Sequence, residues 1–229
     1  MTTYVLVHGA WHSGAAWDRV VPLLTAAGHR AVAPTLSAYG DRAHLAGPEI
    51  GLDTHVDDVA GLLDGLLDGQ ERVVLVGHSY AGMVITGVAN RVPEKISHLV
   101  FLDAMVPRDG ESALDVMPVT QSLIDQAAAS DTPWRIPPMS RSFGVTDPAD
   151  LAWLDTILSD QPVGCLLEPV AFDKPAARAI PRTQIHCTGG GDVPRRPVPP
   201  DEQVWDLPTG HDCMITMPVE LSELLLKVA

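Results

Sequence analysis

Short apolar runs alternate with segments of helical periodicity through the first half of the chain. Each run is nearly continuous in apolar residues, as in strands covered on both faces of a sheet. The runs are 3–7, 30–33, 72–76 and 97–102. Between them, apolar residues recur at helical spacing, from Ala15 to Leu24 and from Val56 to Leu67. This alternation predicts βαβ crossovers, and therefore an α/β fold with a doubly wound, mostly parallel sheet.

Prolines become frequent between residues 107 and 181, and the helical segments there are short. Two of these segments are 121–129 and 147–159, the second with Asp147 as N-cap and Pro148 at its first helical position. The α/β pattern then resumes with two apolar runs and a last helix, at 184–187, 203–207 and 219–228. We interpret residues 107–181 as a cap inserted into one α/β core made of residues 1–106 and 182–229.

The charge balance excludes several kinds of partner. Fifteen Lys and Arg residues stand against 29 Asp and Glu residues, giving a net charge of −14. Nucleic acids and anionic membrane surfaces are both bound mainly through Lys and Arg, so neither is expected as a partner. A small-molecule substrate is the expected partner. The oligomeric state stays open, with a homodimer as one alternative.

No targeting segment or membrane span is recognisable. The chain enters an apolar strand-like run directly after Met1, without a basic region, and no apolar stretch approaches the roughly 18 residues that span a bilayer. The three cysteines, Cys165, Cys187 and Cys213, are an odd number without metal-ligand spacing. A disulfide framework and a zinc site are therefore not indicated, and a cytoplasmic protein is expected.

Ser79 is the candidate nucleophile. It lies between an apolar strand-like run and a helical segment, in the pattern Gly-x-Ser-x-Ala over residues 77–81. A nucleophilic serine in this context occupies a sharp strand-to-helix turn, where its neighbours must be small. Ala81 stands where glycine is more usual, and Gly82 follows it. The alternative interpretation is an ordinary serine in a tight turn.

A serine hydroxyl needs a base, and His211 is the best-placed histidine. It follows the last strand-like run and precedes the terminal helix, so its loop should project from the same sheet edge as Ser79. The chain order of nucleophile, acid and histidine also fits this fold. The acid is less determined. Asp103 is preferred, because a carboxylate at the end of an apolar run needs a partner, and Asp192 in the next loop is the alternative. Asp206 and Asp212 are interpreted as structural.

The exit of the first strand should supply part of an oxyanion hole. Two backbone N–H groups are needed, one from the residue after the nucleophile and one from this loop. These would be the N–H groups of Tyr80 and Ala10. Gly9 would allow close approach to the reacting carbonyl, and His12 is expected to support the loop by hydrogen bonding rather than to act in catalysis.

Large apolar side chains in and near the cap are candidates for the walls of a substrate pocket. They are Trp11, Met105, Trp134, Phe143 and Trp153. They favour an apolar substrate, although they could equally seal the core of the cap itself. The sequence contains no phosphate loop, dinucleotide fingerprint or metal-ligand pattern, so a reaction without cofactor or metal is expected.

Three short motifs resemble the α/β-hydrolase superfamily. They are residues 8–12 with Trp17, residues 77–83, and residues 210–212. Within the superfamily they are similar to the branch of plant methylesterases, hydroxynitrile lyases and related bacterial esterases. The resemblance implies Ser79 and His211 as catalytic residues and Ala10 and Tyr80 as oxyanion donors, in agreement with the residue-level interpretation.

Two departures from that branch affect the expected reaction and the acid. Hydroxynitrile lyases resemble one another in a threonine and a lysine at the positions of Gly9 and Asp212, so the resemblance implies ester hydrolysis rather than cyanohydrin cleavage. The plant enzymes carry their acid at a position like that of Asp192. However, only nineteen positions separate Asp192 from His211, fewer than that branch has. Other members, the haloalkane dehalogenases among them, carry the acid one strand earlier, where Asp103 lies.

The sequence thus predicts a serine hydrolase that cleaves a small carboxylic ester or lactone. Two alternatives remain open at this point. One is a C–C bond lyase or hydrolase, of the cyanohydrin- or β-diketone-cleaving kind, that uses the same residues. The other is a non-catalytic module of the same fold that binds a small ligand.

Overall fold

The computed structural model describes residues 1–69, 71–139, 143–190 and 195–228. Its strands are β1 (Thr3–Val7), β2 (Arg30–Val32), β3 (Val73–His78), β4 (Ile96–Leu102), β5 (Arg135–Ile136), β6 (Gln161–Pro162), β7 (Arg182–Cys187) and β8 (Gln203–Leu207). Six of them form one sheet in the order β2-β1-β3-β4-β7-β8, and every pairing in it is parallel. β5 and β6 pair antiparallel as a separate ribbon. The predicted parallel α/β sheet is confirmed.

Ten α-helices lie in the described residues. They are α1 (Val21–Ala26), α2 (Leu52–Leu66), α3 (Ala81–Arg91), α4 (Ala113–Val116), α5 (Gln121–Ala128), α6 (Pro148–Ile157), α7 (Gly164–Leu167), α8 (Pro175–Arg178), α9 (Cys213–Thr216) and α10 (Pro218–Leu226). Short 3-10 helices occupy Gly14–Trp17, Gly40–Leu45, Pro93–Lys95 and Pro118–Thr120. In the described ranges, none of the helices is both long and apolar enough to cross a membrane.

The two faces of the sheet bury separate apolar clusters, which is what a doubly wound sheet requires. Along β1, Val5 and Val7 belong to one cluster, whereas Tyr4 and Leu6 belong to the other. This alternation follows from the period of two in a β-strand. Helices α2 and α3 cover the first face, and α1 and α10 cover the second.

One predicted helix is divided in the structure. The apolar stripe from Ala15 to Leu24 forms a 3-10 helix, Gly14–Trp17, followed by the separate helix α1, which has Pro22 in its first turn. Proline lacks a backbone N–H and fits best at a helix start, so it favours a new helix there. By contrast, Asp147 caps α6 as expected, because its carboxylate accepts hydrogen bonds from the N–H groups of Ala149 and Asp150.

Residues between β4 and β7 run from α4 through α8 and include the β5–β6 ribbon. Several of their side chains join the apolar cluster on the first face of the sheet, among them Ala127, Ile136, Cys165 and Phe172. This segment is therefore packed onto the core rather than built around a core of its own, and its position brings it next to the carboxyl ends of the strands.

Candidate active site

The strand order brings the predicted site residues to one edge of the sheet. β1, β3, β4, β7 and β8 are consecutive neighbours and run in the same direction. Their carboxyl ends therefore lie side by side, which is where open α/β sheets bind ligands. Ser79 follows β3, Asp103 follows β4, and His211 lies in the loop after β8.

Ser79 occupies a strained turn between β3 and α3. Its φ of 56° lies in the left-handed region, which costs a non-glycine residue free energy and is held only when its surroundings enforce it. The Ser79 N–H donates to the Leu102 carbonyl at 3.1 Å, and the Ser79 carbonyl accepts from the Met105 N–H at 3.0 Å. A Cβ at Gly77 or Gly82 would lie 2.7 Å from the Ala81 carbonyl oxygen and 1.9 Å from that of Met105. Small neighbours are therefore required here.

The loop after β1 runs against the candidate nucleophile. A Cβ on Gly9 would lie 2.8 Å from Ser79 Cβ, so only glycine permits this approach. In the described part of the chain, neither the Ala10 nor the Tyr80 N–H has a hydrogen-bond acceptor. Both N–H groups are therefore available to donate a hydrogen bond beside Ser79.

His211 pairs with Asp103. Its Nδ1 donates to Asp103 Oδ2 at 2.6 Å, which leaves Nε2 able to accept a proton. The imidazole is 31% exposed, whereas the carboxylate is 9% exposed. Among the described residues, no hydrogen bond joins the Ser79 and His211 side chains. Such contacts often tighten only in a substrate complex.

Asp103 is held from two further sides. Its Oδ1 accepts from the Arg195 guanidinium at 2.8 Å and from the Cys187 N–H at 3.2 Å. Burial raises the pKa of Asp103, but the bonds from His211 and Arg195 outweigh it and hold that pKa below its usual value. Asp103 has a φ of 42°, again in the left-handed region. Asp192, the alternative acid, lies outside the described residues.

His12 and Asp212 form a second, fully buried pair behind this site. His12 Nδ1 contacts the Ala10 carbonyl oxygen at 2.8 Å, and His12 Nε2 contacts Asp212 Oδ2 at 3.0 Å. Both partners are acceptors, so both ring nitrogens must carry protons and His12 is an imidazolium. Burial lowers the pKa of His12, but the charge of Asp212 outweighs it and raises that pKa. The pair thus links the loop after β1 to the loop that carries His211.

Replacing Asp212 with asparagine is expected to lower the free energy of unfolding by about 3–5 kcal/mol, because the His12 imidazolium would be left buried without a counter-charge. Urea denaturation of both proteins at pH 6 would measure this. Asp206→Asn is the matched control, since the Asp206 side chain is 68% exposed, and we expect it to change stability by less than about 0.5 kcal/mol. A loss below about 1 kcal/mol for Asp212→Asn would contradict the ion pair.

The pair also predicts a pH window for that difference in stability. The His12 pKa is raised on folding, so its contribution is present below about pH 6.5 and is lost as pH rises through the folded value. Burial raises the pKa of Asp212, but His12 outweighs it and lowers that pKa, so its contribution is lost in acid below about pH 3.9. The gap between wild type and Asp212→Asn should therefore be widest between about pH 4 and 6.5.

His78 lies between these two pairs. Its Nε2 donates to the His211 carbonyl at 3.1 Å, and its ring centroid lies 4.5 Å from that of His211. Burial lowers its pKa to about 3, so it is neutral. Ligand atoms of His78, His211 and Asp212 come within 4.8 Å of one another, as in a metal site. His78 Nε2 and His211 Nδ1 bind protein acceptors, which leaves only the opposite ring nitrogens as ligand atoms, and we assign no metal here.

The predicted pocket residues separate into two groups. Trp11, Met105 and Phe143 are close to the site: the Phe143 ring centroid lies 6.1 Å from that of Trp11 and 6.3 Å from that of His211, and Met105 packs on the Ser79 turn. Trp11 Nε1 also donates to the Ile136 carbonyl at 3.1 Å, which fastens β5 to the loop after β1.

The other two tryptophans have different surroundings. The guanidinium of Arg135 lies 5.5 Å from the Trp134 ring centroid, and that of Arg19 lies 5.8 Å from the Trp153 ring centroid. Trp153 packs against the apolar cluster on the second face of the sheet. Neither ring is brought into contact with Ser79 or His211.

Comparison with known proteins agrees with this geometry. A model of the family described as "Alpha/beta hydrolase family" matches residues 4–224. The chain belongs to this family. It is 37% identical to a carbendazim hydrolyzing esterase of Nocardioides sp. (strain SG-4G), over 98% of each chain. It is 27% identical to methylesterase 1 of Arabidopsis thaliana, over 99% of this chain and 95% of the relative.

Solved structures show the same fold for this alpha/beta hydrolase. An extracellular alpha/beta-hydrolase from a Paenibacillus species superimposes with a TM-score of 0.85 at 23% identity, over 100% of this chain and 99% of the other. A pyrethroid hydrolase superimposes with a TM-score of 0.78 at 22% identity, over 99% and 96% of the two chains. At these identities the likeness concerns the fold.

Two contacts in the site of this alpha/beta hydrolase were not predicted from its sequence. Asp212 was interpreted as structural with no partner named, and the structure pairs it with the buried His12. Arg195 was not among the candidate residues, yet its guanidinium reaches Asp103. The signal for Arg195 is its position after β7, because β7 pairs with β4 and the two strand ends are adjacent.

Proposed function

We propose that this alpha/beta hydrolase is a serine esterase in which Ser79 is the nucleophile, His211 the base and Asp103 the acid. The 2.6 Å contact between His211 Nδ1 and Asp103 Oδ2 supports this most directly. It joins a histidine to a carboxylate at the sheet edge where Ser79 occupies a strained turn. Nucleophile, base and acid in this chain order are the arrangement that serine hydrolysis needs.

In the proposed reaction, Ser79 Oγ attacks the ester carbonyl while His211 Nε2 takes the hydroxyl proton. Asp103 holds the imidazole with Nδ1 protonated and stabilises the imidazolium that forms. The oxyanion accepts hydrogen bonds from the N–H groups of Ala10 and Tyr80. His211 then protonates the departing alcohol. Finally, a water molecule, deprotonated by His211, releases the acid from the acyl-enzyme.

The surroundings of Ser79 favour ester hydrolysis over cyanohydrin cleavage. Gly9 admits no Cβ without displacing Ser79, so a threonine hydroxyl of the hydroxynitrile-lyase kind has no room at this position. Asp212 is bound to His12 and carries a negative charge where those lyases have a lysine. An acidic side chain therefore stands where the resemblance to those lyases would place a basic one.

The relatives suggest which esters to test. One is named for hydrolysing carbendazim and another as a methylesterase, so esters with a small alcohol portion are the proposed substrates. Trp11, Met105 and Phe143 favour an apolar acyl portion near His211. Two surface pockets, of about 170 and 670 Å³, are lined by other residues and are not part of this proposal.

A panel of substrates tests the proposed activity. It contains p-nitrophenyl acetate, methyl esters of aromatic acids, a γ-lactone and carbendazim, together with a cyanohydrin and a β-diketone. We expect turnover confined to the ester group, with labelling of Ser79 by a fluorophosphonate probe located by peptide mass spectrometry. Turnover of only the cyanohydrin or the β-diketone would establish the C–C cleavage alternative. Ligand binding without any turnover would establish the non-catalytic alternative.

A further inference from the structure

Arg195 bridges Asp103 to the end of β7. Its Nη2 donates to Asp103 Oδ1 at 2.8 Å and to the Cys187 carbonyl at 2.9 Å. The guanidinium side chain is 27% exposed, whereas the Asp103 side chain is 9% exposed. The other carboxylate oxygen, Oδ2, is bound to His211 Nδ1. One carboxylate is thus shared between a permanent cation and an imidazole that gains and loses a proton.

Arg196, the residue after Arg195, binds the segment after β7 to Glu111. Arg196 makes two hydrogen bonds to the Glu111 carboxylate, at 2.5 and 3.0 Å. Paired donors of this kind fix the direction of an arginine side chain and of the backbone that carries it. Arg196 therefore orients the segment, and Arg195 is directed to Asp103.

We propose that Arg195 is a positioning residue that holds the Asp103 carboxylate toward His211 and offsets part of the negative charge that this carboxylate presents to the imidazole. This inference rests on the proposed serine-esterase function. A fixed positive charge on Asp103 offsets part of the negative charge that would otherwise stabilise the His211 imidazolium. Removing this positive charge is therefore expected to favour the protonated imidazole.

The other charged groups around His211 do not offset the negative charge of Asp103. His78 is neutral above about pH 3, because burial lowers its pKa to about 3. His12 and Asp212 carry opposite charges and are paired with each other. On the side of β7, the Cys187 thiol lies 3.8 Å from the His211 carbonyl oxygen, and burial lowers the pKa of His186. Among these groups, Asp103 and Arg195 are therefore the pair whose charges act on the His211 imidazole through its Nδ1 hydrogen bond.

The pH dependence of kcat/KM tests the proposal. In Arg195→Met, we expect the midpoint of the acid limb to move up by roughly one pH unit, because removing a nearby cation favours the imidazolium. The plateau should fall by less than about tenfold, since the Cys187 N–H still binds Asp103. Arg195→Lys keeps the charge and should restore the midpoint to within about 0.3 pH unit of wild type.

Arg135→Met is the matched control for loss of one positive charge. Arg135 pairs with Asp160 and covers Trp134, away from the site. The acid limb of the kcat/KM profile of Arg135→Met should therefore keep the wild-type midpoint. An unchanged or lower midpoint in Arg195→Met would overturn the proposal. A shift in Arg195→Lys equal to that in Arg195→Met would overturn it as well, because the effect would then not depend on charge.

An NMR titration, which needs no substrate turnover, tests the role of Arg195 separately from the proposed function. The proton shared between His211 Nδ1 and Asp103 should give a low-field NMR resonance, assigned by its absence in Asp103→Asn. In a Ser79→Ala background, the pH titration of this resonance should move upward by roughly one pH unit when Arg195 is replaced by methionine. If Ser79→Ala retains esterase activity, the proposed function fails, while the titration still decides the role of Arg195.

Discussion

Replacing Ser79 with alanine is expected to lower kcat for ester hydrolysis by about 10⁵- to 10⁶-fold, which is the size of effect seen when a serine hydrolase loses its nucleophile. The reason is that no acyl-enzyme can form without the hydroxyl. Binding should persist, because alanine retains the Cβ and the backbone of the turn. Steady-state assays at high enzyme concentration would measure the decrease, and isothermal titration with a poorly hydrolysed ester would measure binding.

Ser122→Ala is the matched control for this change. Ser122 is an exposed serine of α5, and its hydroxyl donates to the Val119 carbonyl. We expect its kcat to stay within about twofold of wild type. The assignment of Ser79 would be wrong if Ser79→Ala kept more than a few per cent of the wild-type rate. It would also be wrong if a fluorophosphonate labelled Ser79→Ala as fully as it labels the wild type.

Replacing Asp103 with asparagine should lower kcat by about 10⁴-fold. The neutral amide no longer stabilises the imidazolium and can donate to Nδ1, which places the proton on Nε2, the atom that has to accept the proton of Ser79. The same substitution at Asp192 tests the alternative acid. We expect Asp192→Asn to retain more than about a tenth of the wild-type rate, because Asp103 already occupies Nδ1 of His211.

Circular dichroism and thermal denaturation should accompany both aspartate variants, since Asp103 also binds Arg195 and the Cys187 N–H. A folded Asp103→Asn protein with almost unchanged activity would rule out Asp103 as the acid. A 10⁴-fold loss in Asp192→Asn with little effect in Asp103→Asn would transfer that role to Asp192.

Much of the fold could be predicted from local pattern. The apolar runs predicted six strands because parallel strands buried on both faces are apolar at nearly every position. The turn at Ser79 was also predictable, since strand, small residues and helix follow one another within residues 73–88. These features depend on neighbours in the sequence, which a single chain displays directly.

The choice of acid depended on information that the sequence does not carry. Asp103 and Asp192 both follow strand-like runs, and both satisfy the chain order. Deciding between them requires the direction of each side chain at the sheet edge. The structure brings Asp103 to His211, while Asp192 lies outside the described residues, so Asp103 remains the proposal that the mutants test.

Contacts between distant loops were the least predictable. His12 and Asp212 are 200 positions apart, and Arg195 and Asp103 are 92 apart. The first contact joins the loops after β1 and β8, which are separated by three strands in the sheet, and the second joins the loops after β4 and β7, which are sheet neighbours although they are distant in the sequence. No periodicity or propensity reports such neighbours, because both describe local backbone preferences. The sequence therefore predicted His12 as a support of its loop but not the carboxylate that binds it.

Four non-glycine residues near the candidate site have left-handed backbone conformations. They are Trp11, Ser79, Asp103 and Phe143, with φ between 42° and 64°. Each such conformation costs about 1 kcal/mol or more, while a domain is stable by only about 5–15 kcal/mol in total. The backbone conformations that orient the reacting groups thus lower the stability of the folded protein. Substitutions that raise stability are therefore expected at other positions. One is Gly61 in α2, where the Cβ of an alanine would meet no atom within 4 Å.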